Sequence, residues 1–387
     1  VLNTPQRKIF SSEHSAFRES VRRFVHDELA PHHEAWEEAQ VVPRAVWRRA
    51  GELGLLCPDM PSDYGGLGAD WLFNVVVIEE LAAAGVSGPG SGFMVHSEMV
   101  APYILAGGSE ALKAEWLPKM VTGEAIGALA ITEPGAGSDA KAIRTRAVRD
   151  GDSYVIDGQK TYISNGQNAD LFVTACKTDP AAGAKGVSLI AVDGRSPGLE
   201  RGRNLKKLGL KAQDTSEIFY AQVRAPVASR VGEENRGFSM MMTKLAQERL
   251  TQAIRSICVA EAAIEWTASY TAERKAFGGT LSDFQNTRFT LAQLSAETTA
   301  LRVFTDWCIA RFLDGELTPV EAAKAKLLVT DLHCKVVDQC LQFFGGYGYM
   351  LEYPIARAYV DARVTKIAGG ATEVMKQIIA RELFDGR

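Results

Sequence analysis

The hydrophobic period of this chain changes twice, and those changes constrain the fold more than any single motif. From about Ser12 to Gly123, apolar residues recur at three- and four-residue steps, the spacing of one helix face. Phe17, Val21, Phe24, Val25 and Leu29 make one such face. Val46, Trp47, Ala50 and Leu53 make another within residues 43–55. Residues 71–84 hold an apolar stretch, broken by Asn74 and followed by Glu79-Glu80, that reads as a buried helix. Segments 58–68 and 85–92 are rich in Gly, Pro, Ser or Asp and read as loops. Ser109 is placed to cap a helix over 109–121.

From about Ile131 to Val231 the period becomes two. Asp150-Gly151, Asp157-Gly158 and Asn165-Gly166 are turn dipeptides of the hairpin type. Strands are expected at 154–156, 160–164, 171–176, 187–192 and 217–223. Short strands at close spacing predict a small antiparallel barrel or sandwich. After Gly237 the helical period returns, with helices expected over 238–277, 284–313 and 372–384. Another opens at Thr318-Pro319-Val320-Glu321, where Thr318 can cap, Pro319 suits the first turn and Glu321 completes a capping box. The expected fold is α+β and multidomain. It has an N-terminal α-helical domain (1–127), a middle antiparallel β-barrel or sandwich domain (128–235) and a C-terminal four-helix-bundle domain (236–387).

Composition excludes several function classes. With 46% apolar and 23% charged residues, a sizeable core is expected. A net charge of −4 with scattered signs gives no basic footing for nucleic acid. No apolar run reaches the length of a membrane span. The six cysteines form no C-x-x-C pair and read as reduced packing residues. His32 and His33 are adjacent, so they point to different sides of a helix and chelate poorly together; no metal site is expected. The N-terminus resembles neither a signal peptide nor a transit peptide. It begins with Val, which leaves a processed precursor open. A bacterial-type cytoplasmic protein is expected, or one of the mitochondrial matrix if the chain is a processed eukaryotic one.

The segment Ala130-Ile-Thr-Glu-Pro-Gly-Ala-Gly-Ser-Asp-Ala140 cannot be regular helix or central strand. It is a shaped loop whose N–H groups and hydroxyls can approach a ligand closely. Its string TEPGAGSD resembles the flavin and acyl-thioester loop of the acyl-CoA dehydrogenases. Further matches run in family order along the chain. They are Tyr162-Ile-Ser-Asn-Gly166, Gly209-Leu-Lys-Ala-Gln-Asp-Thr215, Gly232-Glu-Glu-Asn-Arg-Gly-Phe238, Arg274-Lys-Ala-Phe-Gly278 and Gln285. They continue through Gln342-Phe-Phe-Gly-Gly-Tyr-Gly-Tyr-Met350, Glu352-Tyr-Pro354, Asp361-Ala-Arg363 and Gly369-Gly-Ala-Thr-Glu373. Ile9-Phe-Ser-Ser-Glu-His14 and Gln247-Glu-Arg-Leu250 look most like the long-chain branch.

The resemblance implies FAD as cofactor and an acyl-CoA thioester as substrate. In the family a carboxylate takes the α proton, while the β hydrogen leaves as hydride to flavin N5. Many members carry the base in a YEGT segment near the C-terminus, where this chain has Ala368-Gly369-Gly370-Ala371. Long-chain and isovaleryl types carry it immediately before an Arg on the first helix of the bundle, and here that residue is Glu248, before Arg249. By residue type alone, Glu248 reads as a solvated helix glutamate with Lys244 one turn earlier as a partner. The resemblance makes it the base and assigns the Gly369 N–H to the thioester oxygen.

Residue by residue, the resemblance places Leu129, Ile131, Thr132, Gly137, Ser138, Tyr162, Ile163 and Ser164 around the flavin. Arg274, Phe277, Gln285, Gln342, Phe343, Gly345 and Gly346 would meet the flavin diphosphate of a neighbouring subunit, a cation suiting that anion. Ala371, Thr372 and Glu373 would lie near the phosphates and ribose. Ser138, Ser239, Ala246, Gln247, Arg249, Gly369 and Gly370 would line the substrate path. Without the resemblance, Tyr162 reads as an ordinary strand aromatic and Arg274 as a surface arginine. Three departures bear on binding: Ala371 stands for the usual Thr, Phe344 for a frequent His, and Ser239 for a Tyr of long-chain relatives. Small residues at Gly88, Gly90 and Gly92 predict room for medium-to-long acyl groups. Electron transferring flavoprotein as acceptor and a homotetramer built as a dimer of dimers are further implications. The alternatives in the same fold are an oxygen-using acyl-CoA oxidase and a catalytically silent flavoprotein subunit. A nitroalkane oxidase, whose base is Asp, is disfavoured by Glu248.

Overall fold

The computed structural model describes residues 7–385. Helices α1 (Ser12–Phe24), α2 (His33–Ala39), α3 (Arg44–Glu52), α4 (Leu72–Ala83), α5 (Ser87–Met94), α6 (Ala101–Gly107) and α7 (Glu110–Val121) build the first region. The turns Val25–Leu29 and Val95–Val100 are wider than α-helical and carry the chain into the next segment without a break. The expected loop at 85–92 is instead largely helix α5. Tertiary packing overrides the low helix propensity of its glycines. A side chain at Gly88 would fall 2.5 Å from Ala212 Cβ, so only glycine lets α5 lie this close to the loop before the last long strand.

The middle region is one eight-stranded sheet: β1 (Gly127–Ala130), β2 (Arg146–Asp150), β3 (Ser153–Ser164), β4 (Leu171–Lys177), β5 (Val187–Asp193), β6 (Leu199–Asn204), β7 (Thr215–Pro226) and β8 (Arg230–Val231). The order is β6-β7-β3-β2-β4-β5-β8, with β1 added beside β4. Pairing is chiefly antiparallel, but β4 runs parallel to β1 and, at one position, to β2. Asp150-Gly151 turns β2 into β3 as expected. Asp157-Gly158 does not turn the chain. It is a bulge inside the continuous strand β3, and Gln222 of β7 bonds the Asp157 carboxylate across it. Asn165-Gly166 does make a turn, yet β3 and β4 are not neighbours in the sheet.

The third region is α8 (Gly237–Glu273), α9 (Gln285–Leu313), α10 (Pro319–Phe343), α11 (Pro354–Ala362) and α12 (Thr372–Phe384). The capping box at Thr318 and Glu321 forms as expected. At 1.5 Å per residue, α8 spans about 55 Å. It serves two cores at once. Leu250, Ala253, Ile254 and Ile257 pack with Val329, Val336 and Cys340 of α10, and in the same cluster with Trp71, Leu72 and Val75 at the start of α4. The first half of α8 is therefore held between the N-terminal helices and the bundle, and Glu248 lies there. All six cysteines are unpaired, and five are buried. Among the described residues no helix is long and apolar enough to cross a membrane.

Candidate active site

Glu248 is not a solvated helix residue. Only 5% of it is exposed, because α6 brings Tyr103 across the same face of α8. The Tyr103 hydroxyl donates to Glu248 Oε1 at 3.2 Å. Burial raises the carboxyl pKa to about 7, and the Tyr103 hydrogen bond, Arg249 and Lys244 only partly offset that rise. Such a carboxyl carries a proton below neutrality and is a stronger base than a surface glutamate once it loses it. Tyr103→Phe removes a donor to the charged form, so the pKa of Glu248 should climb by about one unit. The acid limb of the pH–rate profile should then move to higher pH while the plateau rate changes little. An unmoved limb would show that the hydroxyl does not act on Glu248.

The Gly369–Gly370 turn sits beside α8 one turn beyond Glu248. A side chain at Gly369 would lie 3.8 Å from Gln252 Cγ and 3.6 Å from Lys326 Cε. Both glycines have positive φ, 66° and 102°, a conformation that costs other residues strain. Lys326 of α10 is 1% exposed and donates to the Gly370 carbonyl. Burial and the Arg249 charge lower its pKa to about 8. Reading the sequence did not single out Lys326, because one lysine in an Ala- and Leu-rich helix gives no sign of the loop it holds. Gln252 Oε1 and Arg249 Nε, both buried, have no protein partner here.

The 130–138 loop is built around Glu133. Glu133 and Ala136 exchange backbone hydrogen bonds of 2.9 and 3.0 Å across Pro134-Gly135. The buried Glu133 carboxylate takes Lys160 Nζ at 2.8 Å and the N–H groups of Arg144 and Thr145 at 2.7 and 3.0 Å. Lys160 also donates to the Ile131 carbonyl at 3.0 Å. Thr161 N–H donates to the Thr132 carbonyl at 2.9 Å, so the loop lies against β3 at the residue before Tyr162. The β3–β7 register breaks between Lys160 and Ile163, and there Tyr162 adopts φ 59° and is 69% exposed. It is not an ordinary strand aromatic. Gly137 and Ser138 are exposed, Leu129, Ile131, Thr132 and Ser164 are half-buried, and Ile163 points into the sheet core. An exposed ring at the break in β3, together with exposed loop residues at Gly137 and Ser138, fits a flat, polar heteroaromatic such as a flavin.

A second cluster lies at the ends of α8, α9 and α10. Arg274 stacks on Tyr347 at 5.6 Å, and Tyr270 stacks on Phe344. Phe344 thus fills an aromatic stack. Phe277 is 95% exposed on the short β-turn after α8, and Gln285, Gln342, Gly345 and Gly346 are also exposed. Gln342 and Phe343 line an open groove with Asn286, Tyr349 and Tyr359. No hydrogen bond, ion pair or ring contact joins this cluster to the 129–138 loop among the described residues. Thr372 is buried and bonds the Lys366 carbonyl, Glu373 is exposed in the first turn of α12, and Ala371 caps that helix without a side-chain bond. Ser239 is exposed in the first turn of α8, Ala246 and Gln247 are half-buried, and Arg249 is buried. No group of His, Cys, Asp or Glu arranged for a metal occurs among the described residues.

Comparison with known proteins agrees with this geometry along the whole chain. Residues 11–124 match the family description "Acyl-CoA dehydrogenase, N-terminal domain", residues 128–223 the middle domain and residues 235–384 the C-terminal domain. The chain is 44% identical over 379 residues to the mitochondrial long-chain specific acyl-CoA dehydrogenase of Sus scrofa, covering 97% of this chain and 88% of the pig protein. The acyl-CoA dehydrogenase of Geobacillus kaustophilus superposes with a TM-score of 0.95 at 44% identity, over 98% of this chain and 100% of that one. A glutaryl-CoA dehydrogenase from Mycobacterium smegmatis, solved in complex with FADH2, superposes at 0.92 with 28% identity, over 98% and 97% of the two chains. A helix–sheet–helix chain with these loops is a flavoprotein oxidoreductase. It belongs to the acyl-CoA dehydrogenase family, whose members use FAD.

Proposed function

We propose that this protein removes the α and β hydrogens of a medium-to-long acyl-CoA, giving the trans-2-enoyl-CoA, with Glu248 as the base. The observation that carries the reading is the burial of Glu248 on α8, with its pKa at about 7, next to a Gly369–Gly370 turn that has no carboxylate. Glu248 takes the α proton. The Gly369 N–H donates to the thioester oxygen and so acidifies that proton. Lys326 holds the turn through the Gly370 carbonyl, and Tyr103 holds the carboxylate. Bound FAD supplies the acceptor for the β hydrogen, which leaves as hydride. Tyr162, Thr132 and Ser138 would hold its ring, and Thr372 and Glu373 its phosphate and ribose side.

Electron transferring flavoprotein is the proposed electron acceptor. A homotetramer built as a dimer of dimers would bring Arg274, Phe277, Gln285, Gln342 and Phe343 to the neighbouring subunit's cofactor. The exposure of Phe277 and the separation of the two clusters within one chain support that arrangement. The similarity to the long-chain specific relative supports the longer substrates. Anaerobic addition of C4 to C18 acyl-CoAs to the FAD-loaded protein should bleach the flavin, fastest at C8 or beyond. Fastest bleaching by butyryl-CoA would overturn the length reading.

A further inference from the structure

The Gly369–Gly370 turn has little of its own to hold it. It follows the short helical turn Arg363–Lys366, whose last bonds run from the Ile367 and Ala368 N–H groups to the Val364 carbonyl, both at 2.9 Å. Neither the Gly369 nor the Gly370 N–H donates to a protein acceptor among the described residues. Two glycines in succession also have the widest choice of backbone conformations. Among the described residues, one hydrogen bond reaches either glycine, from Lys326 Nζ to the Gly370 carbonyl. That lysine is buried and forms no ion pair among the described residues. Asp331, on its own helix, is the opposite charge acting on it, but Asp331 is already paired with Lys366 at 2.6 Å. Arg249 of α8 adds a like charge, and no charged side chain of α9, α11 or α12 acts on it among the described residues. From α12 it is Met375 that meets the glycines; a Cβ on Gly370 would fall 2.7 Å from Met375 Cε.

Burying a charge without a counter-charge is costly, and a neutral donor would be enough to hold a turn. The charge itself therefore needs a reason. The reaction supplies one: as the α proton leaves, negative charge builds on the thioester oxygen that the Gly369 N–H is to meet. We propose that Lys326 is the positioning residue of that oxygen's donor, and that its ammonium charge sustains the reaction, so that the rate steps down where the amine becomes neutral. This rests on the dehydrogenase reading and deepens it. The cation acts in two ways. Its charge-assisted bond to the Gly370 carbonyl is roughly twice as strong as a neutral one, which keeps the turn and its N–H aimed. Its field, with that of Arg249, favours the oxyanion over the neutral thioester. Burial and then the Arg249 charge bring its pKa down to about 8, so the change of charge falls within reach of an assay.

The test measures kcat and KM for octanoyl-CoA on the FAD-loaded protein from about pH 6 to about pH 10, in wild type, Lys326→Met and Lys326→Arg. Wild-type kcat should step down above about pH 8. Lys326→Met should lower kcat at neutral pH about 10²-fold, keep KM within about threefold and show no step. Lys326→Arg, always charged, should recover part of kcat and also show no step. The proposal is overturned if the methionine variant turns over like wild type, if arginine does no better than methionine, or if a step stays at the same pH in either variant. A wild-type kcat that is level up to about pH 10 overturns it too. If neither variant binds FAD, the wild-type step decides alone. It must move to lower pH on warming, as the ionisation of an ammonium does, and a step fixed in pH overturns the proposal. Octanoyl-CoA oxidation that still needs Glu248 would then leave the dehydrogenase reading standing. Failure of both octanoyl-CoA and palmitoyl-CoA to reduce the flavin would remove both.

Discussion

Glu248→Gln should lower flavin reduction by acyl-CoA about 10⁴-fold, the upper range for losing a positioned general base. Glutamine has the same size and still accepts from Tyr103, so the fold and FAD binding should persist. The variant therefore separates chemistry from assembly. In the unaltered protein, kcat/KM should rise with pH through about 7, because Glu248 is raised by burial and works only when deprotonated. In the glutamine variant the residual rate should show no such limb. Rapid-mixing absorbance near 450 nm, read anaerobically from about pH 5.5 to 9, measures both. Undiminished reduction in the variant would take Glu248 out of the mechanism and leave the Gly369 region to be re-examined.

Lys160→Met should cost about 3–5 kcal/mol of stability, the usual result of stranding one member of a buried ion pair. Glu133 would keep only two backbone N–H donors in a buried position. The two partners differ in what they gain. Burial pushes the Glu133 pKa up, but the Lys160 charge and the donors more than reverse this, so it ends low. Burial lowers the Lys160 pKa despite Cys176 and Glu133, so the lysine pays most of the desolvation. The intact pair is thus modest in net worth, while half of it is a liability.

The pH dependence follows from Glu133. A carboxyl depressed in the folded state contributes stability above its unfolded pKa and loses it as pH falls through the folded value. The gap between wild type and Lys160→Met should therefore be widest near neutrality and shrink below about pH 4.5. Urea unfolding followed by tryptophan fluorescence would show it, with FAD retention as a second reading of the 130–138 loop. Glu133→Leu combined with Lys160→Met should recover most of the loss. A single variant within about 1 kcal/mol of wild type would mean the pair does not hold the loop.

What could be read from residues in order is what depends on near neighbours. The change from helical to strand period, the Asp150-Gly151 turn, and the Thr318–Glu321 capping box are matters of two to five residues. They appeared where expected. The family strings did more, since they singled out Glu248, the Tyr162 segment and the 130–138 loop as a set. Local signals failed where distant contacts outvoted them. The glycines of 85–92 look like a loop until Ala212 and Trp47 pack against them. Asp157-Gly158 looks like a hairpin until β7 pairs along both sides of it.

The sequence by itself determined the class of chain: two helical regions around a sheet, with the shaped 130–138 loop and a glutamate directly before Arg249. Only the folded structure decided what that glutamate is chemically. Its burial and its Tyr103 partner come from a segment 145 residues away. The same holds for Lys160 on Glu133, Lys326 on Gly370 and the hydrogen bond from Asn74 to Glu98. Period and capping are short-range and leave a trace in the order of residues. The strength of a charge or proton depends on which distant groups exclude water from it, and that is settled only when the chain has packed.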